Sequence, residues 1–122
     1  VSDVSPNIFY KTKIKKEDLQ SISLKKNADI LYEISSLKKN RPKIIIGFAA
    51  ETENHIYNAK NKLNQKKCDA IVVNKINKKN NVFDSDDNQI SFITREKTLK
   101  FKKTSKINVA KKITELVSEF LK

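Results

Sequence analysis

The sequence predicts an α/β fold with a Rossmann-like sheet, in which mainly parallel strands are joined by crossover helices and an antiparallel hairpin lies near the C-terminus. Three observations predict it. Apolar runs typical of buried strands, Ile44–Phe48 and Asp69–Asn74, alternate with stretches of helical periodicity. The first run leads through Gly47–Ala50 into acidic residues, the order of strand, tight turn and helix. Apolar and polar residues also alternate on both sides of Glu96-Lys97, as in a hairpin.

The N-terminal elements are predicted to be a strand end, a loop and a short strand. Val1–Asp3 is predicted to be the end of a strand. Ser5–Lys16 is predicted to be a loop, because it opens with a Ser-Pro pair and continues with little periodicity. Asp18–Lys25 contains Ile22 and Leu24 in alternation with polar residues, which predicts a short strand.

Two helices are predicted on either side of the Ile44–Phe48 strand. Asn27 is a suitable N-cap for the first helix, which Arg41-Pro42 would end, because a residue before proline avoids the α region. The apolar residues of this helix are Ile30, Leu31, Ile34 and Leu37. The second helix is predicted over Glu53–Lys67, with Ile56, Ala59 and Leu63 on its inner face.

The remaining residues predict a strand, a hairpin and a helix. Asp69–Asn74 suits a buried parallel strand, and the polar residues 75–81 are predicted to be exposed. Asn88–Arg95 and Leu99–Lys103 are the predicted hairpin strands. The last helix is predicted to start near Ser105, with an apolar stripe formed by Val109, Ile113, Val117 and Leu121.

Composition limits the class of protein. A chain of 122 residues has room for one domain, predicted to span residues 1–122. No apolar run approaches the length of a membrane span, and no signal peptide opens the sequence. Cys68 and His55 are the only cysteine and histidine, which excludes a disulfide framework and Cys- or His-rich metal sites. We therefore expect a soluble, cytoplasmic protein with no dedicated metal site.

The formal charge of +12 raises a noncatalytic alternative, a basic module that binds nucleic acid or another polyanion. All the basic residues except Arg41 and Arg95 are lysine, whereas specific base and phosphate recognition favours the arginine fork. The chain is also rich in Asn and Ile, a joint bias typical of codons in an AT-rich genome. The charge therefore predicts no specific nucleic-acid site, and nonspecific polyanion binding at low salt stays open.

Lys62 and Lys66 are candidates for anion binding. They lie four residues apart on the predicted second helix and share one face, beside its apolar stripe. Two ammonium groups on one ridge can clamp a triphosphate, but a solvated lysine face has the same pattern.

The loop Lys11–Lys16 is basic with one apolar residue, Ile14. Such a loop can be a mobile flap that closes over an anionic substrate, or simply an exposed loop. The residues alone leave both alternatives open.

Four further features have a functional and a structural interpretation. Gly47, the only glycine, suits close approach by a ligand or an ordinary turn. The helix start at Asn27–Leu31 offers backbone N–H groups to an anion, although Asp29 there is explained by the helix dipole alone. Phe48 can stack on a nucleobase or belong to the core. The acidic run Asp84–Asp87 can bind Mg²⁺ or remain solvated.

The motifs, taken in order, resemble those of phosphopantothenoylcysteine synthetase. In many bacteria that enzyme is the C-terminal half of a bifunctional decarboxylase/synthetase flavoprotein. Gly47–Thr52 matches the Gly-Phe-Ala-Ala-Glu-Thr signature of the family in full. Ala28 replaces the usual proline of its Asn-Pro-Asp-Ile-Leu helix start. The other similar segments are Val1–Asp3, Lys13–Lys16, Ala59–Leu63 with Lys66, Asp69–Asn74 and Phe83–Asn88.

This resemblance implies CTP-dependent ligation of 4′-phosphopantothenate and cysteine in coenzyme A biosynthesis, with Mg²⁺. The substrate carboxylate attacks the α-phosphate to give an acyl-cytidylate and pyrophosphate, and the cysteine amine then attacks the activated carbonyl. Lys13, on the flap, would stabilise charge in the chemical step. The nucleotide-binding residues carried over by position are Asp3, Lys13, Ala28, Asp29, Ile30, Leu31, Phe48, Lys62 and Lys66. Eukaryotic members use ATP, so the nucleotide preference stays open.

The resemblance also implies partners. The family domain is longer than this chain, which is expected to correspond to its C-terminal half. The first half carries a Gly-rich nucleotide-binding segment, so a separate N-terminal half or a flavoprotein decarboxylase domain is an expected partner. A homodimer through Asn88–Lys103 is implied as well. Whether this chain is active alone stays open.

Overall fold

The structure is a computed structural model that describes residues 2–18, 21–76 and 87–122. The chain divides into two compact units, Val1–Ile30 and Leu31–Lys122. The single domain expected over residues 1–122 stays a prediction.

The first unit is built on a small antiparallel ladder. Strand β1 (Val4–Pro6) pairs with β2 (Leu24–Lys26), and a 3₁₀ turn, Lys16–Asp18, lies between them in the sequence. The prediction that Ser5 begins a loop is wrong. Pro6 is tolerated because it is the last residue of a two-stranded ladder, where its missing N–H interrupts little. The strand predicted within Asp18–Lys25 is confined to its C-terminal end.

Asn27 closes this ladder and does not cap a helix. Its backbone N–H donates to the Asp3 carbonyl (2.9 Å), and its Nδ2 donates to the Ser2 carbonyl (2.8 Å). The Ser5 hydroxyl donates to Asn27 Oδ1 (2.7 Å). The first helix, α1, begins only at Ile30. The predicted N-cap role is therefore wrong, because the side chain is used by residues more than twenty positions earlier.

The elements of the second unit, with α1 at its start, are α1 (Ile30–Ser35), β3 (Ile46–Glu51), α2 (His55–Lys66), β4 (Ala70–Lys75), β5 (Asp87–Asn88), β6 (Ile90–Ile93), β7 (Thr98–Lys100), β8 (Thr104–Ser105) and α3 (Lys106–Phe120). Four of these strands form a sheet in the order β3-β4-β6-β7. Strands β3 and β4 are parallel, and β6 is antiparallel to both β4 and β7. A separate two-stranded ladder pairs β5 with β8.

The fold is α/β as predicted, but the described sheet is mixed, and the prediction of mainly parallel strands is wrong for it. A parallel pair needs a long crossover, and α2 supplies one between β3 and β4. The predicted C-terminal hairpin is confirmed as β6–β7, and it joins the same sheet. Its turn is held by Thr94, whose Oγ1 accepts from the Lys97 N–H (3.1 Å) and whose N–H donates to the Lys97 carbonyl (2.9 Å).

Two apolar clusters pack on opposite faces of the sheet. On one face, α2 contributes Ala59 and Leu63 against alternate residues of β4. On the other face, α3 contributes Val109. β4 lies between the clusters, with Ile71 and Val73 on the α2 side and Ala70 and Val72 on the α3 side. This explains its continuous apolar sequence, since a strand covered on both faces needs no polar alternation.

Helices α2 and α3 confirm the predicted stripes in most positions. Ser105 is the N-cap of α3, and its hydroxyl accepts from the Asn108 N–H (3.3 Å). Val109 and Ile113 pack as expected, whereas Leu121 is half exposed and Leu116 packs against the cluster. Residues spaced by four move gradually away from the buried face, because a helix has 3.6 residues per turn.

Helix α1 is shorter than predicted. It ends at Ser35, six residues before Arg41-Pro42. Arg41 Nε donates to the Ser35 carbonyl (3.1 Å) and satisfies a terminal group of the helix. Leu37, predicted to be on the apolar face, is exposed.

Some predictions fall outside the described residues. These are the side chains of Asp84–Asp87, the strand-end residue Val1 and most of the polar stretch 75–81. Among the described helices, none combines the length and the apolarity required to cross a bilayer.

Candidate functional site

The segment Gly47–Ala50 lies inside β3, so the tight turn predicted there is wrong. β3 pairs with β4 residue by residue, from Ile46 opposite Ala70 to Glu51 opposite Lys75. Gly47 does not adopt a positive φ. It is buried, and a Cβ atom there would lie 2.6 Å from Ile71 Cδ1 and 2.7 Å from Leu31 Cδ2. Close packing of Leu31 and Ile71 therefore explains the glycine, without a ligand.

Glu51 is the last residue of β3 and faces α2. The prediction that Glu51–Glu53 starts a helix is wrong, because α2 begins at His55. Side chains alternate along a strand, so Glu51 shares the face of Ala49, which packs in the α2 cluster. Lys62 Nζ lies 2.7 Å from Glu51 Oε1, and Asn58 Nδ2 donates to Glu51 Oε2 (3.1 Å). The strand end is thus joined to two successive turns of α2.

The Glu51–Lys62 ion pair is only partly open to water. The Glu51 side chain is 14% exposed and that of Lys62 is 43% exposed. The hydrogen bond from Lys62 lowers the pKa of Glu51, with a smaller contribution from Asn58, against the opposite effect of burial. Glu51 is therefore a carboxylate at neutral pH, and it holds the Lys62 ammonium at the carboxyl end of the parallel strands.

The two candidate lysines occupy one ridge of α2, as predicted. Both side chains are half-buried beside the core residues Ala59 and Leu63. Lys66 lies one turn beyond Lys62, about 6 Å along the helix axis. Because α2 runs from the end of β3 back to the start of β4, Lys62 is nearer than Lys66 to the carboxyl ends of the strands.

Phe48 lies on the face of β3 opposite to Lys62. It is 70% exposed, and its neighbour Ile46 on that face packs with the α3 cluster. β3 is an edge of the sheet as far as the described residues form it. A ligand that touches both Phe48 and Lys62 must therefore pass around this edge or across the carboxyl end of β3. The interpretation of Phe48 as a core residue is wrong.

Two other residues of this unit are structural. Leu31 is half-buried against the α2-side cluster, and its nucleotide contact stays a prediction. Cys68 is fully buried, and burial raises the pKa of its thiol. A thiol buried in this way is unreactive.

The other predicted site residues lie in the first unit. The Asp3 carbonyl accepts from the Asn27 N–H, which places Asp3 beside the segment that leads into Ala28. Ala28, Asp29 and Ile30 are exposed, and Ile30 begins α1.

Lys13 is exposed in the loop between β1 and the 3₁₀ turn, and Ile14 next to it is half-buried. Ile14 lines a cavity of about 550 Å³ together with Ile8, Phe9 and Ile22. One apolar anchor among exposed lysines is the arrangement predicted for this loop.

Comparison with known proteins assigns the family. Residues 1–121 match the family described as "DNA/pantothenate metabolism flavoprotein C-terminal domain". The chain is 34% identical over 122 residues to the coenzyme A biosynthesis bifunctional protein CoaBC of Vibrio cholerae, and 36% identical over 122 residues to that of Haemophilus influenzae. The chain belongs to the DNA/pantothenate metabolism flavoprotein C-terminal domain family. The match covers 98% and 99% of this chain but only 30% and 29% of those proteins.

Solved structures support the fold of this flavoprotein C-terminal domain. The crystal structure of the C-terminal domain of CoaBC aligns with a TM-score of 0.73 at 24% identity, covering 99% of this chain and 50% of that one. The DNA/pantothenate metabolism flavoprotein from Streptococcus pneumoniae aligns with a TM-score of 0.66 at 18% identity, covering 58% of that chain.

Glu51 and Asn58 were missed as site residues from the sequence of this flavoprotein domain. The available signal was the order of a strand-ending carboxylate, an exposed turn and a lysine beside the apolar stripe of the next helix. Among the described residues, no three His, Cys, Asp or Glu side chains group to hold a metal ion.

Proposed function

We propose that the chain supplies the nucleotide-binding part of a phosphopantothenate–cysteine ligase that uses CTP and acts in coenzyme A biosynthesis. The observation that carries this proposal is the placement of Lys62. Glu51, which ends β3 and belongs to the Gly47–Thr52 signature segment, holds the Lys62 ammonium at the carboxyl end of that strand. Open α/β sheets bind ligands at this edge. The family match over residues 1–121 supports the same function.

The proposed chemistry requires positioning and charge stabilisation, without a protein nucleophile. Lys62 and Lys66 bind the phosphates of CTP, and exposed Phe48 stacks on the base across the edge of β3. Lys13 stabilises charge at the α-phosphate while the 4′-phosphopantothenate carboxylate displaces pyrophosphate. The remaining proposed contacts are Asp3, Ala28, Asp29, Ile30 and Leu31. Mg²⁺, when bound with CTP, neutralises phosphate charge.

The proposal includes partners. The chain spans about 30% of the length of the relatives it matches. An N-terminal half or a flavoprotein decarboxylase domain is proposed as a partner that would complete the enzyme. A homodimer through Asn88–Lys103 is proposed as well. A cytoplasmic location stays a prediction.

Calorimetric titration of the chain, alone and with an added N-terminal half, tests this function. We expect Mg²⁺-CTP to bind more tightly than ATP or duplex DNA. Lys62→Ala and Lys66→Ala should each weaken CTP binding by roughly 1–3 kcal/mol, the range for charge-assisted hydrogen bonds. Lys60→Ala, at an exposed position of the same helix, is the matched control and should change little.

The second candidate function is a noncatalytic basic module, which the net charge of +12 favours. Salt-sensitive DNA binding without CTP binding, in the presence of the N-terminal half, would support that candidate and contradict the ligase. Equal losses of CTP affinity in the Lys60, Lys62 and Lys66 variants would mean that these lysines act only through their general positive charge, without a specific site.

A further inference from the structure

We infer that Glu51 is a positioning residue, which presets the Lys62 ammonium for a polyphosphate group. The inference rests on the proposed function and extends it to a residue that would not itself touch the ligand. It depends on three observations: how Glu51 is held, what it leaves available on Lys62, and how accessible each partner is.

Glu51 is fixed through both its main chain and its side chain. Its carbonyl accepts from the Ile76 N–H (2.8 Å), which extends the pairing of β3 with β4. Its Oε2 accepts from Asn58 Nδ2 (3.1 Å), and the same Nδ2 donates to the Glu53 carbonyl (3.0 Å). Asn58 thereby joins the carboxylate to the β3–α2 connection. The Oε1 atom that meets Lys62 belongs to a group with little freedom of its own.

The Lys62 side chain has more conformational freedom to lose on ligand binding than the Glu51 side chain. A lysine side chain has four rotatable bonds, and ordering it for a ligand costs conformational entropy. The 2.7 Å ion pair places Nζ before any ligand arrives. An ammonium has three N–H donors, and the pair with Oε1 requires one of them. With 43% of the Lys62 side chain exposed, the other donors remain accessible to a phosphate.

A positioning role differs from two simpler ones. If Glu51 only competed with the anion for Lys62, its removal would tighten binding. If the pair only stabilised the fold, its removal would affect unfolding and leave affinity unchanged. If Glu51 positions Lys62, its removal weakens binding, and the loss disappears once Lys62 is absent.

The experiment is a double-mutant cycle on the 122-residue chain, using Glu51→Gln, Lys62→Ala and the double variant. Calorimetry measures the binding of Mg²⁺-CTP and, separately, of inorganic tripolyphosphate. We expect Glu51→Gln to weaken both by about fivefold to tenfold, the size of a lost side-chain ordering contribution. We expect no further weakening when it is added to Lys62→Ala.

Two further variants serve as controls for the double-mutant cycle. Glu53→Gln makes the same charge change two residues along, at an exposed position, and should leave both affinities within about twofold of wild type. Glu51→Asp keeps the charge on a shorter side chain and should recover part of the affinity. Chemical denaturation of each variant establishes that it folds.

Unchanged or tighter binding by Glu51→Gln would overturn the positioning role. A loss of the same size in the Lys62→Ala background, or in Glu53→Gln, would overturn it as well. If tripolyphosphate shows the coupling and CTP does not bind, the positioning role stands and the proposed nucleotide function fails. If neither ligand shows coupling through Lys62, the positioning role fails.

Discussion

The units Val1–Ile30 and Leu31–Lys122 differ in how their proposed functional residues are supported. Lys62 and Lys66 lie on α2, whose Leu63 is 2% exposed in a packed cluster. Lys13 lies in a unit where none of the side chains described at positions 2–17 and 21–30 is buried. A site on packed elements has its geometry before the ligand arrives, whereas a lysine on an exposed loop acquires it on binding. We therefore expect Lys62 and Lys66 to act mainly in binding and Lys13 mainly in the chemical step.

The largest expected effect is on stability. Leu63→Ala removes a buried side chain from the α2 cluster and should lower the free energy of unfolding by about 2–5 kcal/mol. Ile22→Ala, at a side chain that is 60% exposed in the first unit, should cost less than about 1 kcal/mol. Urea denaturation measures both. Equal losses would mean that the two units are equally well packed, which would contradict the comparison.

The next effect concerns the loop lysine. In the enzyme completed with its N-terminal half, Lys13→Gln should lower kcat by about 100-fold, because a group that meets the α-phosphate on closure acts mainly in the transition state. The KM for CTP should change much less. Steady-state kinetics with Lys11→Gln as the neighbouring control tests this. If both variants raised KM and left kcat unchanged, Lys13 would be an electrostatic attractor and not a catalytic residue.

Gly47→Ala tests the packing of the second unit more gently. The added methyl group would meet Ile71 and Leu31 side chains in a space already filled, so we expect a loss of about 1–3 kcal/mol in unfolding free energy. Ala50→Val adds volume at an exposed position of the same strand and should cost little. Denaturation curves compare the two. A stabilised Gly47→Ala, the usual result at an unhindered strand glycine, would show that the cluster has room.

The smallest effect is a pH dependence of stability. The pKa of Glu51 is lowered in the folded state, so the ion pair contributes stability above the ordinary value of 4.5 and loses it as pH falls through the folded-state pKa. We expect about 0.5 kcal/mol, since Lys62 is screened by solvent. The unfolding free energies of wild type and Glu51→Gln should differ by this amount near neutral pH and converge in acid. A difference that persists at low pH would assign the effect to something other than ionisation.

Prediction from the sequence succeeded where the signal is local. The stripe of α2, the start of α3 near Ser105, the buried run of β4 and the β6–β7 hairpin follow from patterns within short windows. The motif order also identified the family, because it was compared over the whole chain. Prediction of secondary structure failed at β1, because Val4–Pro6 becomes a strand only by pairing with Leu24–Lys26, a distant segment.

The small-residue segment Gly47–Ala50 shows most clearly what the sequence determines and what only the tertiary structure decides. Its composition permits a turn or a strand, and pairing with β4 makes it a strand, because each residue gains a ladder partner. Once it is a strand, alternation directs Glu51 toward α2 and Phe48 away from it. The residue types at the candidate site, and their order, are properties of the chain. Which of them meet is a property of the sheet, because the contact of Glu51 with Lys62 depends on strand parity and on the return of α2 across that face.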